Sequence, residues 1–202
     1  MSTPSKRKAA PAKPSRTKAV VHSSKTVYKG DVFWVTKDDV TEPSGVHRTR
    51  DVIRHNGSVV ILAVDPGANP ADPTIVLERQ YRHAAGQYLL ELPAGRIEPG
   101  EKPLAAARRE LIEETGFRAK RWSRLVNYYA SPGFLGEQMQ VFLAERIRAG
   151  IAEPEDDEKI DLLHVPLSQL LAMIQAGKIL DGKTILSVLL YASKRQVAGK
   201  TI

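Results

Sequence analysis

Residues 95–117, GRIEPGEKPLAAARRELIEETGF, decide how this chain is to be read. They place Gly95, Glu101, Arg109, Glu110, Leu111, Glu113, Glu114, Gly116 and Phe117 at the spacing G-x5-E-x7-R-E-U-x-E-E-x-G-U, with U a bulky apolar residue. Pro103 suits a first helical turn, where its missing N–H costs nothing. Leu104, Ala107 and Leu111 fall at i, i+3 and i+7 and predict one apolar stripe for a core. Glu110, Glu113 and Glu114 gather on another face, where like charges destabilise a helix unless something cationic lies between them. Gly116 has the position of a helix-ending C′ glycine. Closely spaced carboxylates, with a loop carbonyl and water, form a hard oxygen donor set that suits Mg2+ or Mn2+ rather than zinc. Magnesium commonly completes its shell with substrate phosphate oxygens, so the pattern predicts a phosphate-bearing substrate. Arg109 is placed to pair with Glu101 and orient the cluster. The plainer alternative is a solvated acidic helix face. It explains the glutamates but leaves the glycines, the arginine and the apolar positions without a reason.

Outward from this stretch, the chain alternates short apolar runs with turn signals. SVVILAV (58–64) is a continuous apolar run suited to a buried strand, DPGANPADP (65–73) a loop, and TIVLERQYR (74–82) and QYLLELPAG (87–95) strands leading into the helix. RLVNYYA (124–130), QMQVFLAERI (138–147) and IDLLHVPL (160–167) predict further strands, and 168–175 and 184–195 predict helices. The stripe of the last helix is expected from Ile185, Val188, Leu189 and Ala192. Strands framing a central helix, with helices at the end, predict an α+β fold with a mixed-sheet sandwich. Upstream, residues 27–55 break into strand-like pieces around the turn Glu42-Pro43-Ser44-Gly45, as expected of a small antiparallel β subdomain.

The formal charge of +7 is concentrated at one end: residues 1–30 hold eight Lys or Arg and no acid, leaving 22 basic against 23 acidic residues in the body. The high pI therefore belongs to the first segment and argues little for nucleic-acid binding. Residues 1–24, rich in Lys, Pro, Ser and Ala, are expected to be a disordered basic tail. With no cysteine, disulfides and thiolate metal sites are excluded, and a cytoplasmic setting fits. No apolar run is long enough to span a membrane and none resembles a secretory signal.

The 95–117 pattern resembles, with no position missing, the signature box of the Nudix hydrolases. RQYRHAAGQYLLELPAGRIEPGE (79–101), YASPGF (129–134), Pro132 at sixteen residues past Gly116, EDDEKIDLLHVPL and GKILDGKT are similar to the ADP-ribose pyrophosphatase branch, so the resemblance runs over about residues 27–195. It implies a Nudix-type mixed β-sheet sandwiched between helices, with residues 25–56 as an N-terminal β subdomain for dimerisation and 57–202 as the hydrolase domain. The implied activity is Mg2+-dependent hydrolysis of ADP-ribose, and of related nucleoside diphosphate sugars, by a homodimer, with Mn2+ able to replace Mg2+. GDP-mannose or another sugar nucleotide is the alternative substrate. A non-catalytic ADP-ribose-binding module is disfavoured, because such modules usually lose box glutamates and all are present here.

Carried over by position, the metal ligands are the Ala94 carbonyl, Glu110 and Glu114, with Glu113 beside them. The acidic loop 153–159 is expected to supply a further carboxylate, as metal ligand or as the base that activates water. Glu158, seven residues before Val165, matches best; Asp156 stands where some relatives have a glutamate base, so the base stays open among Glu158, Asp156, Glu155 and Glu137. Arg82 matches an arginine that grips the diphosphate, as a guanidinium fork suits phosphate oxygens. Arg50 and Arg96 are further candidates for phosphate, and Trp34 for stacking on adenine.

Overall fold

The computed structural model describes residues 17–67, 69–152 and 159–199, and the chain divides into two compact units, residues 1–52 and 53–202. In the first, β1 (Val20–Lys29), β2 (Trp34–Thr41) and β3 (His47–Arg54) form a sheet in the order β1-β2-β3. β1 pairs antiparallel with β2 from Val20↔Thr41 to Lys29↔Trp34. The expected turn after β2 closes with Glu42 N–H bonding Val46 O and Gly45, at φ 84°, bonding Glu42 O. Two expectations are corrected here. The tail expected to be disordered through residue 24 gives way to a strand at Val20, because backbone pairing with β2 orders a segment that buries none of its side chains. The division falls at 52/53 rather than 56/57, because Ile53 is tied to the second unit, donating to Phe134 O and accepting from Gly136 N.

The second unit is built on β4 (Ser58–Asp65), buried along almost its whole length. Its side chains alternate between two cores, as strand geometry requires. Val59, Ile61 and Ala63 meet Ala106, Ala107 and Leu111 of α1 (Pro103–Thr115). Val60, Leu62 and Val64 share a core with Leu167 and Leu170 of α2 (Leu167–Gln175) and with Val188 and Tyr191 of α3 (Gly182–Val197). An apolar run with no polar face is what a strand covered on both sides needs.

Around β4 lie β5 (Thr74–Arg82), β6 (Gln87–Glu91), β7 (Ala94–Arg96), β8 (Arg118–Tyr129), β9 (Gln138–Arg148) and β10 (Asp161–Pro166). The sheet of seven strands runs β10-β5-β4-β9-β8, with β6 on β5 and β7 on β4. The β4–β9 pair is parallel and the other pairs are antiparallel, so the sheet is mixed, as expected. The single strand read over 87–95 is two: Pro93 interrupts it, and Pro93 O accepts from Ile61 N at 2.8 Å while β7 moves onto β4. β8 starts at Arg118, earlier than the apolar pattern suggests, because its outer face is exposed and polar. On α3 the buried positions are Thr184, Ser187, Val188, Tyr191 and Ala192, whereas Leu189 of the expected stripe is 45% exposed. Among the described residues no helix is long and apolar enough to cross a membrane.

Candidate active site

Pro103 opens α1, and Gly116, at φ 70°, closes it with its N–H on Ile112 O. Burial of Ala106, Ala107 and Leu111 against β4 fixes the rotation of the helix, which turns Glu110 and Glu114 toward Ala94 and Gly95 of β7. The absence of a side chain at Gly95 is what admits Glu110: a Cβ there would stand 2.0 Å from the Glu110 carboxyl carbon. One helical turn on, Glu114 Oε2 accepts from the Ala94 N–H at 3.0 Å. Both glutamates are buried.

Burying carboxylates is costly unless they are paired. The Ala94 N–H contributes at Glu114, and Arg109 supplies the compensation at Glu110. Its Nη1 lies 2.8 Å from Glu110 Oε1 and 2.8 Å from Glu113 Oε2. Its Nε and Nη2 donate to the two oxygens of Glu101 at 3.2 Å, and Nη2 also reaches Arg96 O at 3.0 Å. Burial works against the charge of Arg109, but Glu101, Glu110 and Glu113 outweigh it and its pKa is raised. The Arg109 hydrogen bond in turn holds the Glu101 carboxyl below its ordinary value. The pairing of Arg109 with Glu101 read from the sequence is therefore present and extends to all three acids nearby.

A second cluster adjoins the first. Arg82, at the end of β5, donates from Nε and Nη2 to the two oxygens of Glu91 at 2.9 Å each, a bidentate fork on a carboxylate only 1% exposed. Lys183 of α3 pairs with the same carboxylate and lies 3.1 Å from Asp181 Oδ1. Asp181 caps α3, accepting from Thr184 N at 3.0 Å and from Thr184 Oγ1 at 2.6 Å, and Thr184 Oγ1 accepts from Leu92 N at 2.8 Å. Burial pushes the Glu91 carboxyl up, but Arg82 and Lys183 prevail and hold it below its usual value. The charges of Glu78 on β5 and Glu114 on α1 also reach Arg82.

The other sequence-predicted residues sort as follows. Arg96 lies on β7, its side chain exposed and its carbonyl bound by Arg109. Arg50 and Trp34 belong to the N-terminal unit, where Arg50 is ion-paired with Glu42 at 2.6 Å and Trp34 is half-buried on β2. Glu137, just before β9, accepts from Ser58 Oγ at 2.6 Å and lies 3.8 Å from His55 Nδ1. Glu155, Asp156 and Glu158 lie outside the described residues. Glu91, Lys183 and Asp181 were not singled out from the sequence, and neither was Tyr128, whose phenol is pushed up to about 12 by burial and by the charges of Asp181 and Glu137. The available signal was Glu91 itself, a lone acid that follows Leu89 and Leu90 at the buried end of β6.

Among the described residues no group of three or more acids or histidines is arranged to hold a metal ion. Two carboxylates, Glu110 and Glu114, do converge on the start of β7, in a cradle that a Cβ at Gly95 would fill. That hard oxygen donor set fits a divalent cation of the magnesium type.

Known proteins resemble this chain in sequence and in fold. The family model described as NUDIX domain matches residues 54–185. The chain is 34% identical to the ADP-ribose pyrophosphatase of Bacillus subtilis (strain 168), over 80% of this chain and 86% of that protein. It is 38% identical to the GDP-mannose pyrophosphatase of Citrobacter koseri, over 73% of this chain and 81% of that protein. A crystal structure described as an ADP compounds hydrolase superposes with a TM-score of 0.78 at 22% identity, covering 94% of this chain and all of the other, and so shares its fold.

Proposed function

The chain belongs to the Nudix family, and from that premise we propose that it is a pyrophosphohydrolase that cleaves the diphosphate of ADP-ribose to AMP and ribose 5-phosphate. Related nucleoside diphosphate sugars are its secondary substrates. The observation that carries the reading is the complete box, with Glu110 and Glu114 buried against Ala94 and Gly95 of β7.

Mg2+, or Mn2+ in its place, is the proposed cofactor, with Glu110, Glu114 and the Ala94 carbonyl as its protein ligands and Glu113 beside them. When bound, such an ion offsets the charge of the diphosphate and activates the attacking water. The residues of the chain supply the rest. Arg109 holds Glu101, Glu110 and Glu113 in place through its ion pairs. Arg82 binds the diphosphate and stabilises negative charge that grows on it during the displacement. Arg96 and Arg50 are proposed to assist at the phosphates, and Trp34 to stack on the base. Glu158 is the proposed proton acceptor, with Asp156, Glu155 and Glu137 as the other carboxylates able to serve.

The protein is proposed to act as a cytoplasmic homodimer that binds neither membrane nor nucleic acid. In support, Val20, Val21, Val27 and Tyr28 of the edge strand β1 are each more than half exposed, and an edge strand offers unpaired backbone to a second chain.

A second reading, hydrolysis of GDP-mannose, is favoured by the 38% identity to a pyrophosphatase of that name. Offering the purified protein equal concentrations of ADP-ribose and GDP-mannose with Mg2+ separates the two. ADP-ribose is expected to be consumed first; preferential loss of GDP-mannose would replace the first reading with the second.

A further inference from the structure

An arginine that meets a phosphate gains most when its fork is fixed before the anion arrives, because less side-chain freedom is lost on binding. Arg82 sits at the end of β5, 38% exposed, where an unsupported side chain would sample many rotamers. It is instead clamped edge-on by Glu91, through Nε and Nη2 at 2.9 Å each. That pairing uses two of the five N–H donors and leaves the outer edge of the guanidinium, made of Nη1 and the second hydrogen of Nη2, outside the fork.

Glu91 is itself immobilised. It is 1% exposed, lies opposite the fully buried Glu78 in the β5–β6 ladder, and is gripped from α3 by Lys183. Lys183 is 13% exposed and also pairs with Asp181, whose carboxylate caps α3, while Thr184 of the same cap accepts from Leu92 N next to Glu91. A lysine and an arginine converging on one buried carboxylate, from opposite ends of the unit's sequence, amount to more than a surface ion pair.

We infer that Glu91 is a positioning residue for the reaction: braced by Lys183 of α3, its buried carboxylate fixes the Arg82 guanidinium so that its outer edge faces the substrate diphosphate. This rests on the proposed role of Arg82 in diphosphate binding. It assigns to the closing GKILDGKT segment a task in the site, namely to anchor the far side of the arginine clamp. Glu91 touches no reacting atom in this account and acts only through Arg82.

The test is a double-mutant cycle between Glu91→Gln and Arg82→Ala, with Lys183→Met as a third variant and thermal melting to verify folding. Glu91→Gln is expected to lower kcat/KM for ADP-ribose with Mg2+ by roughly 10-fold or more, and the double variant to be no worse than Arg82→Ala alone, within about threefold. Lys183→Met is expected to show a smaller loss that also vanishes in the Arg82→Ala background, and it carries the same test should Glu91→Gln fail to fold. Losses that multiply would show that Glu91 acts independently of Arg82, and unchanged kcat/KM in Glu91→Gln would show that the clamp is not used; either result overturns the inference. Should the wild-type protein not cleave ADP-ribose, the proposed substrate fails separately. The same cycle, read as affinity for inorganic pyrophosphate by calorimetry, then decides on the clamp.

Discussion

A methyl group placed at Gly95 would lie 2.0 Å from the Glu110 carboxyl carbon, yet what it meets is the end of a flexible side chain rather than backbone. Gly95→Ala is therefore expected to displace Glu110 at a cost to stability of about 1–3 kcal/mol, while activity falls far more. Thermal melting beside kcat measures both, and a variant that keeps full activity would remove Glu110 from the site. Glu114→Gln keeps the size of the side chain but removes a charge, and turnover should fall by roughly 100-fold or more with the fold intact. Near-normal turnover in Glu114→Gln would sink the metal assignment. These residues were legible in the sequence because they lie within one helix and the short strand before it, where spacing translates directly into a shared face. Glu91 and Lys183 were not, because their contact joins positions 92 residues apart and only the folded sheet brings them together.

At the scale of the element, α1 is held on β4 by a narrow set of contacts, and Leu111 at their centre is fully buried. Leu111→Ala should cost about 2–5 kcal/mol, read as a lowered denaturation midpoint in urea; a loss within experimental error would mean that the helix is held by something other than this core. β4 was readable from its unbroken apolar run because both of its faces are covered. The apolar count of α3 misled at Leu189, since the stripe that faces the sheet also uses Thr184, Ser187 and Tyr191, polar residues whose hydroxyls find partners. Likewise β8 was read too short, because an outward-facing strand edge carries charge in place of a hydrophobic pattern.

For the whole molecule, pH dependence follows from carboxyls held below their ordinary value. Glu91 and Glu101 are both depressed in the folded state, so the unfolded chain takes up protons first as pH falls. Their contribution is complete above the ordinary carboxyl value of 4.5 and is lost as pH drops through the lower folded values. The melting temperature should accordingly fall below about pH 4.5, and Glu91→Gln should flatten that acid limb; an unaltered limb would remove Glu91 from the account of stability. If the proposed homodimer forms, sedimentation should give twice the mass of the 22.3 kDa chain, and a monomer at working concentration would refute it. Whether the protein is this hydrolase is decided by product analysis after incubation with ADP-ribose, with Mg2+ and with EDTA. AMP and ribose 5-phosphate in equal amounts, formed only with the metal, is the result this account requires; no cleavage, or cleavage to other products, would contradict it.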